Sequence, residues 1–255
     1  MDASLFASFC HLQKSYRKKS IKDAEAILSD GKKTLSSIEG AFTSLFPHEE
    51  LSKAQKAFED DLTANGLDSA NSLLTAAIPA VRDMLSSGIM NIHTLERYIF
   101  LHVPQMEDGN NFGVTVQMTI SKFLKETRDE WSKLLEEFPK YYSTRADAVD
   151  KLGLSKTSSS ETKTESKSKS TGGEKGDEEK TSNSVVNETK TSNGQKTDVH
   201  RLNHVVAIDV KFYGDLRAAL MTLFNGYITI LDNMEKNQEK LLSPKGGGGG
   251  AMGMY

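Results

Sequence analysis

Residues 103–117 read VPQMEDGNNFGVTVQ, and their reading decides the fold. A helical pattern runs into this stretch and another runs out of it. Its centre, Glu107-Asp108-Gly109-Asn110-Asn111, has the composition of a turn. Glycine supplies positive φ at no steric cost, and Asn and Asp tolerate the left-handed region and cap helices with their side chains. Pro104 ends the preceding helix, because the residue before a proline is pushed out of the helical region. Asn110 or Asn111 is placed to cap the helix that follows. A short, tightly specified loop between two long helices is either a feature held out for presentation or an ordinary connection between helices.

Working outward, the helical spacing extends in both directions. Before the loop, Leu85, Ile89, Ile92, Leu95, Ile99 and Phe100 form one apolar face of a helix from about 68 to 103. Asp68 or Ser69 would cap it, and Pro79 would kink it or mark its true start. After the loop, Val116, Ile120, Phe123, Trp131, Leu134, Phe138 and Tyr141 or Tyr142 mark a helix to about Leu152. Pro139 should bend it. An earlier stripe runs from Leu5 through Phe9, Leu12, Tyr16, Ala24, Ile27, Leu28, Leu35, Ile38 and Phe42 to Leu45. Gly31 weakens or bends that helix. Pro47 closes it, and residues 47–67 read as a polar connection with a turn at Asn65-Gly66. A last helix spans about Val199 to Leu242, with Val205, Val206, Phe212, Tyr213, Leu216, Leu220, Leu223, Tyr227 and Leu231 on it. At 1.5 Å per residue it would be roughly 60 Å long. Pro244 stops it, and Gly246 to Gly250 read as a flexible leash.

Between about 154 and 197 the composition changes to Ser, Thr, Lys, Glu and Gly, with no aromatic residue and Val185-Val186 as the one strong apolar pair. Such a segment cannot bury enough surface to offset its conformational entropy, so it is expected to be disordered. Its many hydroxyls could make it a regulated arm, whereas a solvated loop that tolerates length is the simpler reading. The segment also explains why hydrophobic residues are only 37% of the 255, below the usual share of about 45–50%.

Composition narrows the function classes. The net charge is −3 and the pI near 6.1, which disfavours a nonspecific nucleic-acid binder. The single cysteine, Cys10, precludes an intramolecular disulfide and fits a reducing compartment, cytoplasm or nucleus. No apolar run is long enough to span a membrane. The first ten residues lack the basic region of a secretory signal. No P-loop or dinucleotide fingerprint is present. His200 and His204 stand four apart on one helix but lack further ligands, so no metal or cofactor is expected. Cys10 reads as a small apolar residue rather than a nucleophile. Arg17-Lys18-Lys19 could belong to a nuclear localisation signal, although a solvated helix face accounts for it more simply. No catalytic constellation emerges, and the chain is not expected to be an enzyme.

The stretch 103–117 closely resembles the activation loop of the 11S proteasome activators (the REG family), IPxIEDGNNFGVxVQ. The similarity continues more loosely through Tyr141 to Val149, YYSTRADAV, close to the family's KYFSERGDAV, and Gly253-Met254-Tyr255 is similar to its terminal GMxY. Residues 24–42, AEAILSDGKKTLSSIEGAF, loosely resemble its first helix. The chain departs from the pattern in the position of its insertion, in Pro139, in the five-glycine leash and in the shortened tail motif. The resemblance implies an all-α, four-helix bundle subunit of long helices that assembles into a ring, with a disordered insertion between helices 3 and 4. Residues 1–153 would supply helices 1–3 with the activation loop 103–113, residues 154–197 the insertion, 198–243 helix 4, and 244–255 the proteasome-binding tail. The implied function is non-catalytic, ATP-independent activation of the 20S proteasome by a homo-oligomer, heptameric in the family, without nucleic acid or membrane. Glu107, Asp108, Gly109, Asn110, Asn111 and Phe112 would contact turns of the 20S α-subunits and rearrange the gate, with Phe112 packing the loop onto the bundle. Met252, Gly253, Met254 and Tyr255 would dock between α-subunits, a terminal carboxylate meeting a lysine. The alternative is a coiled-coil scaffold or tether without activating function, which needs neither the specific turn nor the tail.

Overall fold

The computed structural model describes residues 3–67, 71–105, 111–152 and 199–245, with side chains from residue 12 onward. All its regular structure is helical. In chain order the helices are α1 (Ala3–Ser29), α2 (Gly31–Leu45), α3 (Leu51–Asn65), α4 (Ser72–His102), α5 (Phe112–Asp150), α6 (Val199–Lys236) and α7 (Gln238–Leu242). The all-α reading holds. The insertion at 154–197 lies outside the described residues.

The bundle is organised by α4, α5 and α6. Gln117 meets His102 at one end of the α4–α5 pair, Gly88 faces Trp131 at its middle, and Arg128 pairs with Glu96 between them. The two helices are therefore antiparallel. By the same logic α6 is antiparallel to α5: Trp131 stacks on Tyr227 and Phe138 packs edge-on against Phe212. The helices α1 and α2 complete the layer against α4 and α6.

Trp131 is the centre of the core. It is fully buried, and glycines face it from both neighbours. A Cβ at Gly88 on α4 or at Gly226 on α6 would stand 2.7 Å from an atom of the indole. Glycine inside a helix costs about 1 kcal/mol relative to alanine; here it makes room for a bicyclic ring that a packed interior would otherwise exclude. Tyr227, stacked on the indole, accepts a hydrogen bond from Asn91 at 2.6 Å, which ties α6 to α4.

Several local readings are refined. The first helix is broken at Asp30 into α1 and α2, at the position where Gly31 was expected to weaken it; Gly31 packs against Leu231, whose Cδ2 would be 2.7 Å from an added Cβ. The stretch read as a polar connection contains a helix, α3, whose narrow stripe Ala54, Phe58 and Leu62 faces α6. The turn after it is as expected, with Gly66 at φ 77°. The N-cap of α4 is Asn71, whose side chain accepts from the Leu73 amide at 2.9 Å; Asp68 and Ser69 lie outside the described residues. The last helix stops at Lys236, and α7 is a separate short turn of helix. Pro79 and Pro139 both sit exposed, and α4 and α5 continue through them. Of the two tyrosines, Tyr141 enters the core while Tyr142 is exposed.

At the end of the bundle remote from the 103–117 stretch, a polar cluster fastens α5 to α6. Asp209, 5% exposed, accepts a hydrogen bond from Tyr141 Oη at 2.8 Å and a two-pronged contact from Arg145 Nε at 3.1 and 3.2 Å. Arg145 also reaches the Leu67 carbonyl at 3.5 Å. Burial pushes the Asp209 carboxyl up, and Arg145 and the Tyr141 hydroxyl oppose that push. Burial and the neighbouring Asp209 raise the Tyr141 phenol, which holds its proton for donation. Removing the Asp209 carboxylate takes from Arg145 and Tyr141 their shared buried acceptor, at a cost of about 3–5 kcal/mol. Asp209→Ala is therefore expected to lower the thermal midpoint by about 10 °C at fixed protein concentration. Differential scanning calorimetry checks this; a midpoint within two or three degrees of the parent would show the cluster to be incidental.

Candidate functional site

The loop and the C-terminal segment emerge from the same end of the bundle. The loop leaves α4 through His102 and Val103, whose φ −66° and ψ 122° give the extended backbone that Pro104 demands. It re-enters at Asn111, the N-terminal boundary residue of α5, with φ −100° and ψ 12°. Asn111 starts the helix with its backbone: its carbonyl accepts from the Thr115 amide at 3.0 Å and from the Thr115 hydroxyl at 3.2 Å. Its side chain makes no capping hydrogen bond.

The expected site residues fall into two groups. Glu107, Asp108, Gly109 and Asn110 lie outside the described residues, as do Met252, Gly253, Met254 and Tyr255. Asn111 and Phe112 are described. Phe112 is 64% exposed. Its position in the first turn of α5 points it away from the apolar stripe, which is carried instead by Gly113, Gln117, Ile120 and Leu124.

Two residues of the 103–117 stretch were quoted in the motif without a role, and they build the site. Gly113, in the first turn of α5, lies against the backbone of Pro244 so closely that an added Cβ would stand 2.1 Å from the Pro244 carbonyl oxygen and 2.5 Å from its Cα. One helical turn on, Gln117 is fully buried. Its Nε2 donates to the carbonyl of His102 at 3.1 Å and to the carbonyl of Leu241 at 2.7 Å. His102 is the last residue of α4, and Leu241 lies in α7. The last carbonyls of a helix have no partner within it; one side-chain amide here serves two helix ends. A polar residue on an otherwise apolar stripe, and a glycine at the start of a helix, were the sequence signals that could have found this pair.

The rest of this end is apolar and partly open. Leu241 is buried at 1% exposure, while Phe100 is 76% exposed and Met118 59%. A groove of about 430 Å³ lies nearby, lined by Leu28, Gly31, Tyr98, Leu231, Met234 and Leu241 among others. Among the described residues no group of three or more His, Cys, Asp or Glu stands together as a metal site would require. His200 and His204 are both exposed.

Residues 68–158 match the family model described as proteasome activator PA28, C-terminal. The human proteasome activator complex subunit 3 is 26% identical over 198 residues, covering 76% of this chain and 62% of the relative. The chicken protein of the same name is 26% identical over 181 residues, 71% of this chain and 56% of the relative. The chain thus spans about three-fifths of the length of the curated relatives it matches. Among solved structures, the 11S subunit of the Plasmodium falciparum proteasome, PA28, superposes with a TM-score of 0.62 at 19% identity, covering 94% of this chain and 95% of the other. An 11S activator solved in complex with a proteasome gives 0.61 at 16% identity, over 91% and 93%. These structural matches show a shared helical fold. The relatives and the structural neighbours are proteasome activators, some of them seen on the 20S particle.

Proposed function

We propose that this relative of the 11S proteasome activators is itself a non-catalytic, ATP-independent activator of the 20S proteasome. Copies of the chain form a ring, seven in the family pattern, that caps the core. Met252–Tyr255 dock between α-subunits, and Glu107–Phe112 act on the gate. The observation that carries the reading is the motif 103–117, which matches the activation loop of the family along its whole length. Its support from the fold is positional: the described roots of loop and tail, His102, Phe112 and Pro244, meet at one end of the bundle. An activator needs both elements on the face turned to its partner; a scaffold or tether needs neither.

Assembly is argued from surface. Met90, Phe100 and Met118 on the α4–α5 pair, and Met221 and Ile228 on α6, are all more than 40% exposed. Apolar side chains on two different sets of helices suit a head-to-tail contact that closes into a ring. The test joins purified 20S core, a fluorogenic peptide and this protein, with native mass spectrometry of the same sample. Stimulated hydrolysis by a closed oligomer is the expected result. An assembled ring that leaves the peptidase rate unchanged would leave the scaffold reading in its place.

The described flanks of the insertion stand far from that face. Arg201 donates to the Lys151 carbonyl, so the two chain ends that bound it stand together. They stand beside the Asp209 cluster, about 50 Å along α5 from Gln117 at 1.5 Å per residue. Deleting residues 156–196 with a short linker is accordingly expected to preserve the ring and the stimulation of small-peptide cleavage. Circular dichroism would show the helix content retained, and a large loss of helix would make the segment structural.

A further inference from the structure

We propose that Gly113 and Gln117 are positioning residues: they lock Leu241–Pro244 onto the head of α5, so that loop and tail leave the bundle from one fixed frame. The inference rests on the activator reading for its consequence, but the lock itself is a matter of local geometry. Three observations carry it.

The first is the approach of Pro244 to Gly113. The gap of 2.1 Å between an added Cβ and the Pro244 oxygen is filled by backbone, which cannot swing aside as a flexible side chain can. Only glycine lets the segment lie there. Pro244 is buried as well, and its ring fixes φ two residues before the glycine run.

The second is the double donation by Gln117. Its amide joins the end of α4, from which the loop departs, to α7, from which the tail departs. The side chain stands on α5, which the loop enters. Three chain segments thus share one nitrogen.

The third is the cost. Gln117 Oε1 is buried without a hydrogen-bond partner. A buried polar atom left unpaired is unfavourable; an apolar side chain of the same shape would avoid that penalty but would take the donor away from the carbonyls of His102 and Leu241. What the arrangement secures is the joint: fixing one end of the tail shortens the set of conformations each tail must search, which raises the effective concentration of the rest when the ring docks.

The test compares Gln117→Met, which keeps the shape and loses the donor, with Gly113→Ala and with the parent protein. Hydrogen exchange is measured first on the oligomer alone. The amides of Leu241 and Ser243, bonded to the carbonyls of Asn237 at 2.9 Å and Glu239 at 2.8 Å, should exchange about tenfold faster in both variants. Amides in the middle of α6, between Leu220 and Ile230, should be unchanged. Stimulation of 20S peptidase is measured second. The concentration giving half-maximal stimulation should rise by about tenfold, with helix content and assembly retained. Unchanged exchange at Leu241 and Ser243 would overturn the lock. Faster exchange with stimulation at the parent's concentration would show a local packing role only, and overturn the positioning. A parent protein that never stimulates the core would sink the activator reading alone, and the exchange experiment would still decide the lock.

Discussion

Deleting Gly253, Met254 and Tyr255 is expected to abolish stable binding to the 20S core, with affinity falling by at least three orders of magnitude. The argument is one of multiplication. A single tail reached through Gly246–Gly250 binds weakly, because ordering a glycine run costs more backbone entropy than ordering any other sequence. A ring offers several tails at once, and after the first has docked the others bind at a high effective concentration. If each tail loses about 1 kcal/mol, several tails together lose several kcal/mol, and every 1.4 kcal/mol is about tenfold. The ring should survive the deletion, since Pro244 against Gly113 and Leu241 in the core lie upstream of the cut. Co-sedimentation with 20S core and peptidase stimulation read the outcome together. A truncated ring that sediments and stimulates as the parent does would mean that another surface holds the complex.

The parts of the fold that were legible in the sequence are those where apolar spacing is long and regular. The stripes of α4, α5 and α6 repeat over 31, 39 and 38 residues, and the buried side chains fall on them: Leu85, Ile92, Leu95 and Ile99 on one, Trp131 and Phe138 on the next, Leu216, Leu220, Leu223 and Tyr227 on the third. The helix α3 escaped because its stripe is only Ala54, Phe58 and Leu62 wide; Phe58 finds its partner in Tyr213, edge-on at 5.6 Å, a contact no local pattern encodes. Tertiary packing makes that helix, as it does most short ones. The division at Asp30 was half legible. Gly31 announced a weak point, while the reason, its close fit against Leu231, lies 200 residues away.

The site was legible in a different way. The loop was found by its turn composition and by resemblance, and the residues singled out were those of the turn itself, the kind that carries recognition in a presented loop. Gly113 and Gln117 were passed over since their partners, Pro244 and Leu241, are remote in sequence. Phe112 was named with the loop residues that the resemblance implies. Its exposure follows from helical phase, which puts Gly113 and Gln117 on the buried side and leaves the residue before Gly113 facing outward.

Asn110→Tyr is expected to leave the ring and its binding to the 20S core intact and to abolish stimulation. The sequence Asp108-Gly109-Asn110-Asn111 is built from residues that accept left-handed backbone. Tyrosine is costly there if position 110 takes up left-handed backbone, and its ring adds bulk where the partner would have to approach. Neither effect reaches the assembly. The residues on both sides of the loop, Val103 and Phe112, are exposed, and the core contacts of α4 and α5 begin at Ile99 and Gly113. Neither effect is expected to reach the tail, whose root lies against Gly113 and Gln117. Binding and gate opening should therefore separate cleanly. The variant ring should co-sediment with the core at the parent's concentrations, and it should compete with the parent ring, lowering stimulation in a mixture in proportion to its share. This pattern is the reverse of the tail deletion, which loses binding and cannot compete. An Asn110→Tyr ring that assembles, binds and stimulates as the parent does would remove the loop from the mechanism. Gate opening would then have to follow from tail docking alone.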